Sequence, residues 1–207
     1  MKNLALLFCL SIFIFGSCTS SRSSSIFTSK KFRNKKIAIV PFEIHTSVKQ
    51  LPKGVTIAML EKAERRKGLI MQRDLYRYLL RASAKVKPFR RAKFQDVNTT
   101  NKIFKSLDMD LEKIHKTSKT ELARLLGVDA IIYGNIYQFK QKLRIQGDDF
   151  VKYAGVNNKI ATVLYAYDKK RGQIQWKYDS SQSGFPSDYG PDVAKGLLRK
   201  AARNFPM

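Results

Sequence analysis

Few side chains among the 207 residues have a type and spacing that could do chemistry. Both cysteines, Cys9 and Cys18, lie at the extreme N-terminus, far from either histidine. The histidines, His45 and His115, are distant from each other, and each falls in a segment that reads as a loop. A zinc site uses three or four His, Cys or carboxylate ligands at fixed spacing. The sequence carries no such cluster, so neither a metal nor a cofactor is expected. Serines gather just after Cys18 and at Ser180–Ser183, without a Gly-x-Ser-x-Gly elbow. No glycine-rich phosphate loop of the Rossmann or Walker type occurs. Close carboxylates are confined to Gly147–Asp149 and Ser106–Glu112, which lack the spacing of an EF-hand loop and read as solvated turns. Two acids distant in sequence but facing each other in a cleft, as glycoside hydrolysis uses, would leave no such local mark. The expectation is a protein that is not an enzyme, with no catalytic residue assigned.

One constellation is suited to binding. Tyr133, Tyr137, Tyr153, Tyr165, Tyr167, Trp176 and Tyr178 crowd the last third of the chain, interleaved with cations. Aromatic rings among cations can form a surface for glycan, anionic lipid or a partner protein. The same rings would serve equally as packing between a sheet and its helices. The candidate surface consists of Lys140, Lys142, Arg144, Lys169, Lys170, Arg171 and Trp176.

The first residues read as a targeting segment. Lys2 precedes an apolar run, Leu4–Phe15, whose length suits a secretory signal and falls short of the ~20 residues of a membrane-spanning helix. Gly16 and Ser17 follow, then Cys18. This order resembles the bacterial lipoprotein signal, although Phe15 stands where that motif usually has Leu, Val or Ile. The resemblance implies cleavage before Cys18 and acylation of Cys18 on its sulfur and its new amino group. Loss of Cys9 would leave a single thiol, so no intramolecular disulfide could form, and acylation would occupy that thiol. Two or more acyl chains anchor stably where one does not. The alternatives are an ordinary cysteine beyond a conventional cleavage site, or an uncleaved anchor, which the short run with Ser11 and Gly16 disfavours. Thr19, Ser20 and Ser21 include no Asp, which by analogy with lipoprotein sorting points to the outer membrane, facing the periplasm. The predicted organisation is a signal peptide over 1–17, a lipidated cysteine with a flexible Ser- and Lys-rich tether over 18–34, and a single domain over 35–207.

Composition fits that plan. Removing 17 of 207 residues leaves 190, enough for one ordinary core, and 43% hydrophobic with 27% charged residues is globular. Forty Lys and Arg against sixteen Asp and Glu give a net charge of +24. In a cytosolic protein that balance would suggest nucleic acid. An exported chain meets lipid phosphates, lipopolysaccharide and acidic wall polymers instead, so no nucleic-acid partner is expected. The cations are scattered and read equally well as a solvated surface.

The elements follow from periodicity. Ile37–Val40 is a short apolar run stopped by Pro41, the pattern of a buried strand. Residues 56–85 have helical spacing, with Gly68 a point where the helix could divide in two. A weak strand is expected around Phe94 and Val97, then a helix capped by Thr99 or Thr100. Ser118 and Glu121 form a capping box, Leu122, Leu125 and Leu126 an apolar side, and Gly127 a stop. A strand from Asp129, a hairpin through Trp176 and a final helix opened by Pro191 complete the chain. This succession predicts an α+β fold: one domain, a mixed β-sheet with helices packed on it.

Three segments carry a family resemblance: "KKIAIVPF" (Lys35–Phe42), "LARLLGVDAIIYGNIYQF" (Leu122–Phe139) and "LYAYDKKRGQIQWKYDSSQSG" (Leu164–Gly184). In order and content they resemble envelope lipoproteins related to CsgG, LpoB and the N-terminal domain of TolB. The resemblance implies a structural or regulatory envelope part: a pore subunit, an activator of a wall synthase, or a periplasmic partner of a transport complex. A pore is disfavoured, because the only long amphipathic strands are needed by the sheet itself. The function expected is therefore a lipid-anchored, non-catalytic binding partner of an envelope assembly. The alternative is a basic module that binds anionic lipid, lipopolysaccharide or wall polymer.

Overall fold

A computed structural model describes residues 21–27, 32–49, 51, 53–140, 142–146, 150–154, 158–185 and 190–207. Its centre is a mixed seven-stranded sheet. The strands are β1 (Ser21–Phe27), β2 (Lys36–Ile39), β3 (Glu43–Val48), β4 (Lys93–Phe94), β5 (Ala130–Lys140), β8 (Asn158–Asp168) and β9 (Ile174–Phe185). They lie in the order β1-β9-β8-β5-β2-β4, with β3 also against β5. A separate hairpin pairs β6 (Lys142–Gln146) with β7 (Phe150–Ala154). The helices are α1 (Ile57–Ser83), α2 (Val97–Ser106), α3 (Leu111–Lys116), α4 (Lys119–Leu125) and α5 (Gly190–Arg203). This is the α+β architecture that the periodicity predicts.

Helices cover both faces of the sheet. On one face α1 and α5 enclose Ile37, Ile39, Ile132, Ile136, Leu164, Trp176 and Tyr178. On the other, α2, α3 and α4 supply Phe104, Ile114, Leu122 and Leu126 against Ala38, Val40 and Ile131. The alternate residues of β2 and β5 thus feed two cores, which is why both strands read as near-continuous apolar runs.

Pro41 splits what would be one strand into two. β2 pairs parallel with Ala130–Ile132 of β5, and β3 resumes parallel to Asn135–Lys140. Between them the Phe42 N–H turns out of the ladder and donates to the Gly68 carbonyl of α1 (3.3 Å). A Cβ on Gly68 would lie 2.2 Å from the Phe42 carbonyl oxygen. Gly68 therefore does not divide the helix: α1 is continuous through 27 residues, and the missing side chain lets it approach the strand.

Local signals were realised with small shifts. The cap of α2 is Asp96 instead of Thr99 or Thr100, its carboxylate accepting from the Asn98 and Thr99 N–H groups (2.8 and 3.2 Å). Thr100 is buried one turn in, its hydroxyl bonded to Gln95 (3.0 Å). Val97 begins the helix and leaves β4 only two residues. Ser118 caps α4 by accepting from the Glu121 N–H (3.2 Å), while the Glu121 side chain pairs with Arg124. Gly127 takes a left-handed φ of 62°, as a helix stop requires. Asp129 then accepts from the Lys36 N–H (2.8 Å) and ties the start of β5 to the start of β2.

Part of the stretch read as flexible tether is ordered. β1 pairs with β9 along its whole length, and Phe32 is fully buried beside Phe205. The folded unit thus takes in residues ahead of Lys35. Cys18 and the apolar run before it lie outside the described residues. Among the described residues no helix is long and apolar enough to cross a membrane.

Candidate functional site

The aromatic and cationic residues read as a binding surface are not brought together. Trp176 is 1% exposed, stacks on Tyr178 and meets Phe205 edge-on in the core, because its position in β9 faces α5. Lys140 is 3% exposed at the end of β5. Lys169, Lys170 and Arg171 are exposed on the β8–β9 turn, where Asp168 accepts from the Arg171 and Gln173 N–H groups (both 3.1 Å). Asp168 pairs with Ala130 at the start of β5, so that turn and Lys140 sit at opposite ends of the same strand. Ten residues of strand separate them, roughly 33 Å. Lys142 and Arg144 belong to the β6–β7 hairpin, and their side chains lie outside the described residues. Trp176 and Lys140 are therefore withdrawn from the surface.

The structure instead joins groups that the sequence keeps apart. A cleft of about 400 Å³ lies between β3, α1 and α3, lined by Glu43, His45, Glu61, Glu64, Glu112 and His115 among others. His45, expected in a loop, is on β3, and His115, expected likewise, is on α3. The signal that could have found β3 is the Ile44, Thr46, Val48 alternation of apolar and β-branched residues just beyond Pro41. Nothing local could have joined it to α3, which begins at Leu111, 63 positions after the strand ends at Val48.

Glu43 is the hub. Its carboxylate accepts a hydrogen bond from the Tyr133 hydroxyl and lies 3.7 Å from His45 Nε2. Burial and the Glu43 bond hold the Tyr133 phenol well above its ordinary range, so it stays a donor. Lys119 Nζ sits 3.9 Å from the centre of the Tyr133 ring, and burial lowers its pKa. The His115 ring meets Tyr133 edge-on, and its Nε2 lies 3.2 Å from the Pro41 carbonyl. A carbonyl can only accept, so Nε2 carries the proton and Nδ1 is left as an acceptor. Burial lowers the His115 pKa, outweighing the opposing pull of the Pro41 bond and of Glu43.

The remaining acids are tied to the scaffold. Glu64 accepts from the Thr46 N–H (2.6 Å), Glu61 lies 3.5 Å from Arg65, and Glu112 bonds Lys116 (2.6 Å). Behind them Lys67 donates to Gln138 (2.7 Å), and its pKa is pushed down to about 7 by burial and by Lys140. Among the described residues no three His, Cys, Asp or Glu side chains converge as a metal site. Glu43 is held as an acceptor by a neutral phenol and His115 is fixed by a backbone carbonyl. The cleft is thus lined by polar groups that already have partners in the fold.

No protein-family model matches the chain, and no curated protein matches it. Solved structures with a similar layout include PelC of Paraburkholderia phytofirmans, crystallised as a dodecamer (13% identity, 89% of this chain and 96% of that chain, TM-score 0.48). They include lipoprotein GNA1162 of Neisseria meningitidis (15% identity, 82% and 94%, TM-score 0.48). The C-terminal domain of LpoB from Salmonella enterica is also among them (12% identity, 72% and 83%, TM-score 0.37). At these values the likeness is one of general layout alone.

Proposed function

We propose that this chain is a lipid-anchored, non-catalytic protein of the bacterial envelope, held at the outer membrane on its periplasmic side. It serves as a structural or regulatory binding partner of an envelope assembly. The observation that carries the reading is the apolar run ending in Gly16, Ser17 and Cys18, with the sheet beginning only three positions later at Ser21. A signal, an acylated cysteine and a folded body then follow one another with almost no spare chain. The cleft around Glu43 supports a binding role, since its acids and histidines are already fixed by neighbours and offer hydrogen-bonding edges to a partner. A second reading, binding to anionic lipid or wall polymer, is favoured by the exposed cations of the Lys169–Arg171 turn.

Intact-mass measurement on the native protein and on Cys18→Ala tests the anchor. The expected result is a mature mass beginning at Cys18 plus acyl chains, absent from the variant. An unmodified mature chain or an intact precursor in the wild type would overturn it.

A further inference from the structure

Strand register fixes which end of the molecule lies beside the proposed anchor. β1 runs antiparallel to β9, with Ser21 opposite Gln182. Gln182 pairs with Ile160, Ile160 with Gln138, and Gln138 with Thr46. One row of residues therefore crosses the sheet from the first residue of β1 to β3. From Cys18 to Ser21 is three residues, which span at most about 11 Å even when fully extended. An anchor at Cys18 thus holds the start of β1 close to the bilayer, and this end of the sheet is the one nearest it.

The surface at that end suits the position. Phe139, one residue beyond the row, is 50% exposed and pairs with Lys159, which is also exposed. Tyr137 is 38% exposed on the same side of β5, and Leu51 is 37% exposed beyond β3, near the exposed Lys49. Strand residues 46–51, 137–140, 158–161 and 181–184 of this end contain no Asp or Glu, and the one acid of α1 that reaches them, Glu64, is bonded to the Thr46 N–H (2.6 Å) in the hollow it lines with Tyr137 and Phe139. At the far end Asp129 and Asp168 accompany the cations of the β8–β9 turn. Apolar and aromatic side chains beside lysines, with Glu64 already taken up by the Thr46 N–H, match an interface of acyl boundary and anionic headgroup.

We infer that the end of the sheet carrying Phe139, Leu51, Lys49 and Lys159 docks on the anionic phospholipid surface, so that the anchor and this patch together set the orientation of the body. The inference rests on acylation of Cys18. Docking in this pose turns the Lys169–Arg171 turn away from the bilayer.

The test uses the full acylated chain in vesicles of phosphatidylethanolamine and phosphatidylglycerol. An environment-sensitive dye is attached at Phe139→Cys, at Lys159→Cys as a second reporter on the same end, or at Lys170→Cys at the far end. Blue-shifted emission and severalfold stronger quenching by spin-labelled lipid at 139 and 159 than at 170 is the expected result. Equal quenching at all three sites, in protein that floats with vesicles and carries acyl chains by mass, overturns the docking and leaves the anchor standing. A blue shift at 139 without lipid quenching puts protein on the patch and also overturns it. An unmodified mass overturns anchor and docking together.

Discussion

The groups that give the cleft its character are visible as letters, but not as a set. His45, His115, Glu43 and Tyr133 come from β3, α3 and β5, and only the parallel pairing of β3 with β5 sets Glu43 near Tyr133. His115 makes a prediction at this scale. Its folded pKa lies below the ordinary 6.5, so the unfolded chain binds more protons as pH falls through that value. Stability from this group is therefore complete above about pH 6.5 and is lost as pH falls through the lower, folded value. Urea unfolding between pH 7.5 and 5 should show His115→Gln losing less stability with acid than the wild type, because Gln can still donate to the Pro41 carbonyl. Parallel pH profiles for the two would remove His115 as a source of acid sensitivity. Trp176 and Lys140 show the reverse problem at the same scale: each is legible as a type, yet strand facing, which no neighbour in sequence reports, decides that both are buried.

At the scale of elements, the Ser118–Gly127 helix signals, the Lys169–Gly172 turn and the Pro41 stop were readable because each is a short-range requirement of backbone donors and φ angles. The cap of α2 moved by a few positions, since Asp, Thr and Thr all compete for one role and burial of Thr100 settled it. β3 has no clear mark in the sequence, because Pro41 interrupts its continuity with β2. Gly68 looked like a helix break, whereas it is the contact point between α1 and Phe42. Gly68→Ala would gain about 1 kcal/mol of helix propensity. The clash with a backbone oxygen outweighs that gain, as overpacking of a rigid contact costs about 1–3 kcal/mol and sometimes more. Net destabilisation of about 2 kcal/mol is expected in denaturant melts. A stabilised Gly68→Ala would show that the contact yields. An alanine at the exposed helical position Arg73 should by contrast be nearly neutral.

For the whole molecule, the +24 charge sets the balance of forces. Self-repulsion of like charge opposes the compact state, and salt screens it within about 10 Å at 0.1 M. The exposed pairs Arg65–Glu61, Lys116–Glu112 and Arg124–Glu121 lose strength with salt as well, but each contributes only about 0–1 kcal/mol. Repulsion among the excess cations should prevail, so raising NaCl from 50 to 500 mM is expected to raise Tm by about 2–4 °C, the equivalent of roughly 1 kcal/mol for a chain this size. A fall in Tm would mean that the ion pairs carry more of the stability than their exposure suggests. The sequence by itself determined the α+β class, most helix boundaries and the charge, because each depends on composition or on neighbours within a turn or two. Only the tertiary structure decided that β1 pairs with β9 at the edge of the sheet, that Trp176 belongs to the core, and that Glu43, His45 and His115 share a cleft. Those outcomes depend on strand order and register, which arise from burial across the whole sheet and leave no local signature in the chain.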